Sequence, residues 1–203
     1  MHLYGLIIGI AIIIGISYFE KHQSIIPKEK LAFFEIGTIV SAIIGARAYH
    51  VIDQWSFYSQ NLYLIPQTWN GGLGIFGAFL GAFVFIALFV NHKSYLMLLD
   101  SITPILPLSQ AIGRFGNYIN GENPIWWPEA IGNLLLFLLI KKYPYDPTAK
   151  YFIGYGLIRL LTEFWREDTW VISTVKTGQI ISIILIIVGI LLLKYGQTKN
   201  RHS

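Results

Sequence analysis

Seven predominantly apolar segments, separated by short polar breaks, make up most of the 203-residue chain. A helix needs about 20 mostly apolar residues to cross a bilayer core of about 30 Å. The fifth and sixth segments are short, so each is equally compatible with a tilted or re-entrant helix. We predict an all-α membrane protein with about seven transmembrane helices, forming a single polytopic domain over residues 1–203. The predicted spans are residues 3–19, 31–52, 71–91, 97–118, 128–140, 151–165 and 178–194.

The composition excludes several classes of protein. Hydrophobic residues make up 54% of the chain and charged residues 13%, whereas a soluble domain carries about 25% charged residues. A fold surrounded by water on all sides is therefore not expected. The chain has no cysteine, which excludes a disulfide, a thiolate zinc site and a cysteine nucleophile within it.

The positions of the basic residues predict the orientation of the chain, because basic residues accumulate in short cytoplasmic loops. With the N-terminus outside, ten of the 15 lysines and arginines fall in inward segments, and only Arg166 and Lys176 fall in outward ones. We predict that the N-terminus is outside and the C-terminus cytoplasmic. The net charge of +4 then reflects topology, and no nucleic-acid partner is expected. The inward residues are Lys21, Lys28, Lys30, Lys93, Lys141, Lys142, Lys150, Lys194, Lys199 and Arg201.

Small residues recur at four-residue spacing in the second and third segments, a pattern that lets helix backbones approach closely in lipid. A second group of glycines stands at the predicted outer face, where the absence of side chains would let a lipid head group approach the backbone. The spaced residues are Gly37, Ser41 and Gly45 in one segment and Gly77 and Gly81 in the other, and the second group is Gly71, Gly72 and Gly74.

Two ionisable residues, Arg159 and Glu163, lie four positions apart in a predicted span, and Arg166 follows. The spacing places the first two on one helix face. One such charge at the centre of a spanning helix costs about 2.5–3.5 kcal/mol on insertion scales. Mutual pairing can offset this cost in a purely structural ion pair. Alternatively, the two residues line a site or a water-filled cavity.

The segment GRFGNYINGENP, residues 113–124, concentrates polar groups at the outward end of an apolar span. Its glycines permit a bent backbone, its asparagines supply donors and acceptors, and its arginine offers a planar fork suited to phosphate oxygens. A helix-ending turn alone would not need all of these groups, so we predict a functional site here. The residues concerned are Arg114, Asn117, Asn120, Gly121 and Glu122.

At this segment the sequence resembles the prolipoprotein diacylglyceryl transferases of bacterial inner membranes. The run Gly-Arg-Phe-Gly-Asn-Tyr-Ile-Asn-Gly-Glu, residues 113–122, matches the family signature. Weaker matches occur in the same order over nearly the whole chain: HLYGL at 2–6, GAR at 45–47, WNGGLG at 69–74, and YGLIR to EFWRE within 155–167. The resemblance implies the same seven spans and orientation, in a multi-pass protein of the bacterial cytoplasmic (inner) membrane.

The resemblance also implies an activity. It is the transfer of the diacylglyceryl group of phosphatidylglycerol to the thiol of the lipobox cysteine of a preprolipoprotein, with release of glycerol phosphate. The implied partners are this lipid, the lipobox protein and the membrane, with no metal or organic cofactor. By motif position, the residues that match the family's site are Tyr4, Arg114, Asn117, Asn120, Gly121, Glu122, Arg159 and Glu163. We assign lipid or phosphate binding to Arg47, Arg114, Asn120, Gly121, Glu122, Gly71 and Gly72, and catalysis to Tyr4, Arg114, Asn117, Arg159, Glu163 and His50.

One departure from the family pattern bears on the proton of the substrate thiol. Phe76 stands two residues after the Gly-Gly-Leu-Gly turn, where the family commonly has a histidine. A phenyl ring cannot accept a proton, so either another base or electrostatic activation by the arginines is required. His50 is a candidate base at the outward end of the second span, and the alternative is that it is merely an interfacial residue. Glu122 is a second candidate.

The stretch between Glu122 and Pro128 is shorter than the family's periplasmic insertion, and Pro128-Glu129-Ala130 replaces a Tyr-Glu-Ala pattern. These departures predict a minimal member of the family. They bear on recognition of the protein substrate more than on lipid binding. The alternative function is a non-catalytic phospholipid-binding membrane protein derived from the family.

Overall fold

The computed structural model describes residues 2–121, 126–166, 171–172 and 175–201, which are almost entirely helical. The predicted all-α fold is confirmed, apart from an antiparallel hairpin of β1 (Val171–Ile172) and β2 (Val175–Lys176) that the sequence did not predict. Short 3₁₀ turns cover Leu62–Leu64, Thr68–Asn70 and Glu163–Trp165. The helices are α1 (His2–His22), α2 (Lys28–Asp53), α3 (Trp55–Tyr58), α4 (Ile75–Phe89), α5 (His92–Ile102), α6 (Leu106–Ile119), α7 (Trp127–Lys142), α8 (Pro147–Thr162) and α9 (Thr177–Arg201).

Three stretches are long and apolar enough to cross a membrane: Leu3–His22 in α1, α2, and Thr177–Gly196 in α9. The pair Ser94–Ile102 and Leu106–Ile119 qualifies together as a fourth, although it is bent by 43°. Helix α4 is apolar but has 15 residues, and α7 and α8 have 16 each. Within the described residues, three or four spans are thus supported, and the count of seven stays a prediction.

The continuous helix expected over residues 97–118 is interrupted, because α5 ends at Ile102 and α6 begins at Leu106. Pro104 lies in the break, and Pro107 lies in the first turn of α6. Proline has no backbone N–H, and its ring clashes with the preceding turn, so it ends one helix and fits the start of the next. Because residues 97–118 are mostly apolar, hydropathy alone does not reveal this break.

The chain forms two compact units, one of residues 24–97 and the other of residues 1–23 and 98–203. In the first unit α2 packs against α4, and the small residues predicted to allow close packing lie in the contact. A Cβ atom at Gly45 would collide with the carbonyl oxygen of Gly77. The predicted close approach of these two backbones is therefore confirmed.

In the second unit, α1 packs on α6, α6 on α7, α7 on α8, and α8 on α9. Glycines again mark the close contacts. A Cβ atom at Gly132 of α7 would lie 3.0 Å from Ile158 of α8, and one at Gly156 of α8 would lie 2.9 Å from the carbonyl oxygen of Ser182 in α9. These contacts fix the register of the helices that carry the charged residues described below.

The first turn of α8 is held by a side chain from another helix. Thr148 donates its hydroxyl to Asp100 Oδ1 at 2.6 Å and its backbone N–H to the same oxygen at 3.3 Å. A carboxylate that accepts from the first turn satisfies N–H groups that the helix itself leaves unpaired. Asp100 thus anchors α8 at the end opposite Arg159.

Candidate active site

Glu129 is the centre of a cluster of charged side chains that α6, α7 and α8 bring together. Arg114 Nη2 lies 2.7 Å from Glu129 Oε1, and Arg159 Nη1 lies 3.2 Å from Glu129 Oε2. Arg159 Nη2 lies 2.7 Å from Glu163 Oε2. Arg166 Nη1 is more distant, at 3.9 Å from Glu129 Oε2. We call these five residues the arginine–glutamate cluster.

The cluster is almost closed to solvent. The side chains of Arg159 and Glu129 are each 2% exposed and that of Glu163 is 0% exposed, whereas Arg114 and Arg166 are 13% and 15% exposed. Buried charges are tolerated when they are paired. Three guanidinium groups and two carboxylates leave one formal positive charge. Arg114 and Arg166 form the accessible edge of the cluster.

The dipoles of α7 and α8 stabilise two charges of the cluster. Glu129 lies in the first turn of α7, where the helix dipole favours a negative charge. Arg159 lies in the last turn of α8, where the dipole favours a positive charge. Glu163 begins the 3₁₀ turn that follows, and Lys176 of β2 donates to its carbonyl oxygen at 2.8 Å. The ion pair between Arg159 and Glu163, one of the two alternatives from the sequence, is present within this larger cluster.

Tyr4 packs against the part of α6 that carries Arg114 and Asn117, through the contact of α1 with α6. A Cβ atom at Gly116 would lie 3.2 Å from Tyr4 Cδ2. The tyrosine ring therefore lies against the helical turn that also carries Arg114 and Asn117. A catalytic role for Tyr4 and Asn117 remains a proposal.

The rest of the signature segment forms the end of α6. Asn120 is the C-cap residue, and Gly121 has a φ angle of +73°, a conformation that favours glycine. Both residues are exposed. Trp126, beyond the turn, packs on Tyr118 with ring centroids 5.0 Å apart. Glu122, predicted as a lipid ligand and a candidate base, lies outside the described residues.

Arg47 organises a separate group of predicted residues in the unit of residues 24–97. Its Nε donates to the carbonyl oxygen of Ile65 at 2.8 Å, Nη1 to that of Gly71 at 2.7 Å, and Nη2 to that of Leu64 at 2.7 Å. Its guanidinium carbon lies 5.1 Å from the centre of the Tyr58 ring. Arg47 is 6% exposed, and its donors are occupied by carbonyl oxygens of the segment between α3 and α4. Phosphate binding by Arg47 stays a prediction.

His50 and Gly72 adjoin Arg47. A Cβ atom at Gly72 would collide with the His50 ring and with the Arg47 guanidinium. The φ angles of Gly71 and Gly72 are +84° and +70°, which glycine adopts without a steric penalty. The two glycines thus allow the loop backbone to approach these side chains. Phe76 packs edge-on against another ring, that of Tyr49, with centroids 6.3 Å apart.

Glu129, which joins Arg114 to Arg159, is absent from the residues predicted for the site. In the sequence it stands only as part of the altered motif Pro128-Glu129-Ala130. Helix α6 contains no acidic residue, so Arg114 needs a carboxylate from another helix to be neutralised in an apolar bundle. This charge balance is the sequence signal that points to Glu129.

Comparison with known proteins gives the same family as the resemblance of residues 113–122. The sequence model of the prolipoprotein diacylglyceryl transferase family matches residues 1–130 and 123–195. A phosphatidylglycerol–prolipoprotein diacylglyceryl transferase from Finegoldia magna is 32% identical, over 95% of this chain and 90% of the relative. Proteins of the same name from Thermosynechococcus vestitus and Lactococcus lactis subsp. cremoris are 30% and 29% identical, over 92% and 98% of this chain and 85% and 92% of the relatives. The chain belongs to the prolipoprotein diacylglyceryl transferase family.

Proposed function

We propose that this protein transfers the diacylglyceryl group of phosphatidylglycerol to the lipobox cysteine of a prolipoprotein and releases glycerol phosphate. It is a transferase of lipoprotein biosynthesis. The observation that carries the proposal is the arginine–glutamate cluster, whose residues Arg114, Arg159 and Glu163 occupy the matching motif positions. Its relatives, which align over more than nine-tenths of this chain, carry the name of this activity.

The chemistry requires the stabilisation of negative charge. The bond between the diacylglyceryl carbon and a phosphate oxygen breaks, the oxygen keeps the electron pair, and the thiol sulfur bonds to the carbon. Preorganised arginines stabilise such a leaving group strongly where water is scarce. The single formal positive charge of the cluster complements the single negative charge of a phosphodiester. We assign the first contact with phosphate to Arg114, which is 13% exposed, and a supporting role to the buried Arg159.

The substrate thiol must also lose its proton. A free thiol has a pKa of about 8.5, so at neutral pH only a small fraction is the reactive thiolate. We favour activation of the thiol by the arginines over a base at His50. The pH–rate profile of His50→Gln at saturating lipid should therefore keep the acidic limb and the rate of the unmodified protein. Loss of that limb in the variant would identify His50 as the base.

The activity is tested directly with purified protein in phosphatidylglycerol liposomes and a synthetic lipobox peptide. The peptide should gain the mass of one diacylglyceryl group. A peptide with serine in place of the lipobox cysteine is the matched control and should gain nothing. Binding of the lipid without any mass gain would instead support a non-catalytic phospholipid-binding protein.

We also propose a multi-pass arrangement in the bacterial inner membrane, with seven spans, the N-terminus outside and the C-terminus cytoplasmic. The apolar helices and the distribution of lysines support it. Cysteine introduced at Ser59 should react with an impermeant thiol reagent in intact spheroplasts, whereas cysteine at Tyr145 should not. Both positions are exposed, whereas the nearby Thr148, in the first turn of α8, is buried and unsuitable for labelling. The chain has no other cysteine, so equal labelling of the two variants would contradict the orientation.

A further inference from the structure

Asn133 is a fully buried amide with no polar partner among the described residues. It lies in α7 at 0% exposure, and neither Nδ2 nor Oδ1 makes a hydrogen bond. Leaving a buried polar group unpaired destabilises a fold by about 1–3 kcal/mol. An apolar side chain of the same size would pack in an apolar bundle without this penalty, so packing alone does not account for an asparagine.

The position of Asn133 relates it to the arginine–glutamate cluster. Asn133 follows Glu129 by four residues, which places it on the same face of α7, about 6 Å further from the helix start. Helices α7 and α8 are antiparallel and meet where Gly132 faces Ile158 and where Gly154 faces Leu136. Asn133 thus lies one turn beyond the cluster, toward the middle of the helices.

Further polar groups lie about one helical turn from the arginine–glutamate cluster. Gln110 lies one turn before Arg114 in α6, and its Nε2 donates to the hydroxyl of Tyr151 at 2.8 Å. Gln110 Oε1 is buried without a hydrogen-bond partner in the described part of the chain. Tyr151 stacks on Tyr155, with ring centroids 5.5 Å apart. A polar column therefore continues inward from the charged cluster.

We propose that Asn133 donates a hydrogen bond to an ester carbonyl of the lipid donor, which makes it a positioning residue for the diacylglyceryl group. The inference rests on the proposed function. In a diacyl phospholipid the ester carbonyls lie only a few covalent bonds from the phosphorus, a separation comparable to the helix rise of about 6 Å between Glu129 and Asn133. With the phosphate at Arg114, the glycerol backbone reaches the level of Asn133. An ester carbonyl accepts a hydrogen bond from an amide N–H, whereas an ether oxygen is a much poorer partner.

The test compares diester phosphatidylglycerol with its dialkyl ether analogue, which has the same head group and the same reacting carbon. The unmodified protein should show a KM for the ether lipid about three- to tenfold higher than for the ester lipid, the effect of one neutral hydrogen bond. In Asn133→Leu the KM for the ester lipid should rise to the same extent and the ratio should fall to about one. The thermal unfolding midpoint should not decrease, because the substitution removes an unpaired buried amide.

Leu136→Val is the matched control, since Leu136 is also buried in α7 and the substitution alters packing without a polar change. It should keep the ester-to-ether ratio. Equal KM values for the two lipids in the unmodified protein, or an unchanged ratio in Asn133→Leu, would overturn the proposal and indicate an internal water at the amide. If the unmodified protein transfers neither lipid, the proposed function fails. Equilibrium binding of the two lipids then still measures the ratio for both folded proteins. If Asn133→Leu does not fold, the ester-to-ether ratio of the unmodified protein decides the proposal.

Discussion

Arg114→Lys should lower kcat for diacylglyceryl transfer by about 100-fold or more, the usual effect of removing one preorganised donor to a developing anion. Lysine keeps the positive charge but has a single nitrogen in place of the planar fork. It cannot bind Glu129 Oε1, which lies 2.7 Å from Arg114 Nη2, and a phosphate oxygen with the same geometry. The measurement is the initial rate of peptide modification in phosphatidylglycerol liposomes. Thermal unfolding in detergent shows whether the variant is folded.

Arg166→Lys is the control that shows whether the loss of kcat is specific to Arg114. Arg166 has a similar exposure, 15% against 13%, but its nearest distance to Glu129 is 3.9 Å. Its pairing with Glu129 is therefore weaker, and we expect only a several-fold loss of rate. A rate for folded Arg114→Lys close to that of the unmodified protein would exclude a phosphate-binding fork at Arg114. Equal large losses in both variants would indicate that the total charge of the cluster matters more than the geometry of one guanidinium.

The sequence predicts the part of the site that depends on local spacing along the chain. Arg159 and Glu163 are four residues apart, and helical spacing alone places them together. Glu129 meets Arg114 and Arg159 only because α7 packs between the helices that carry them, and that register depends on glycine contacts such as Gly132 against Ile158. Hydropathy and local spacing contain no information about such a register.

Arg47 illustrates a different limit. The motif match at residues 45–47 predicts that Arg47 binds lipid phosphate, and in the structure its guanidinium donates to the carbonyl oxygens of Leu64, Ile65 and Gly71. Every residue has a backbone carbonyl, so no residue type in the sequence marks these acceptors. The helix break at Pro104 could not be predicted either. The residues around it are apolar, so the mean hydropathy of the segment is high whether or not the helix is continuous.

Glu129→Gln should lower the free energy of unfolding by about 3–5 kcal/mol, the loss expected when one partner of a buried ion pair is removed. Glu129 is 2% exposed and forms ion pairs with both Arg114 and Arg159. Without it, the described part of the cluster holds three guanidinium groups and one carboxylate, that of Glu163, and its formal excess of positive charge rises from one to two. The measurement is chemical denaturation in mixed micelles. Glu20→Gln, at an exposed position, is the control and should change the free energy of unfolding by less than about 0.5 kcal/mol.

A double substitution separates the effect of Glu129 on stability, through neutralisation of an arginine, from its effect on transfer activity. If the main effect of Glu129 is to neutralise Arg114, Glu129→Gln combined with Arg114→Met should be more stable than Glu129→Gln alone, because the guanidinium that lost its carboxylate is then absent, whereas Arg159 keeps its pair with Glu163. The coupling between the two positions should be about 0.5–3 kcal/mol, as for residues in direct contact. Transfer activity should not recover, since the double variant lacks an arginine assigned to the leaving phosphate. Additive losses of stability would show that Glu129 and Arg114 act independently, and the cluster would then not be the cooperative unit that their 2.7 Å contact indicates.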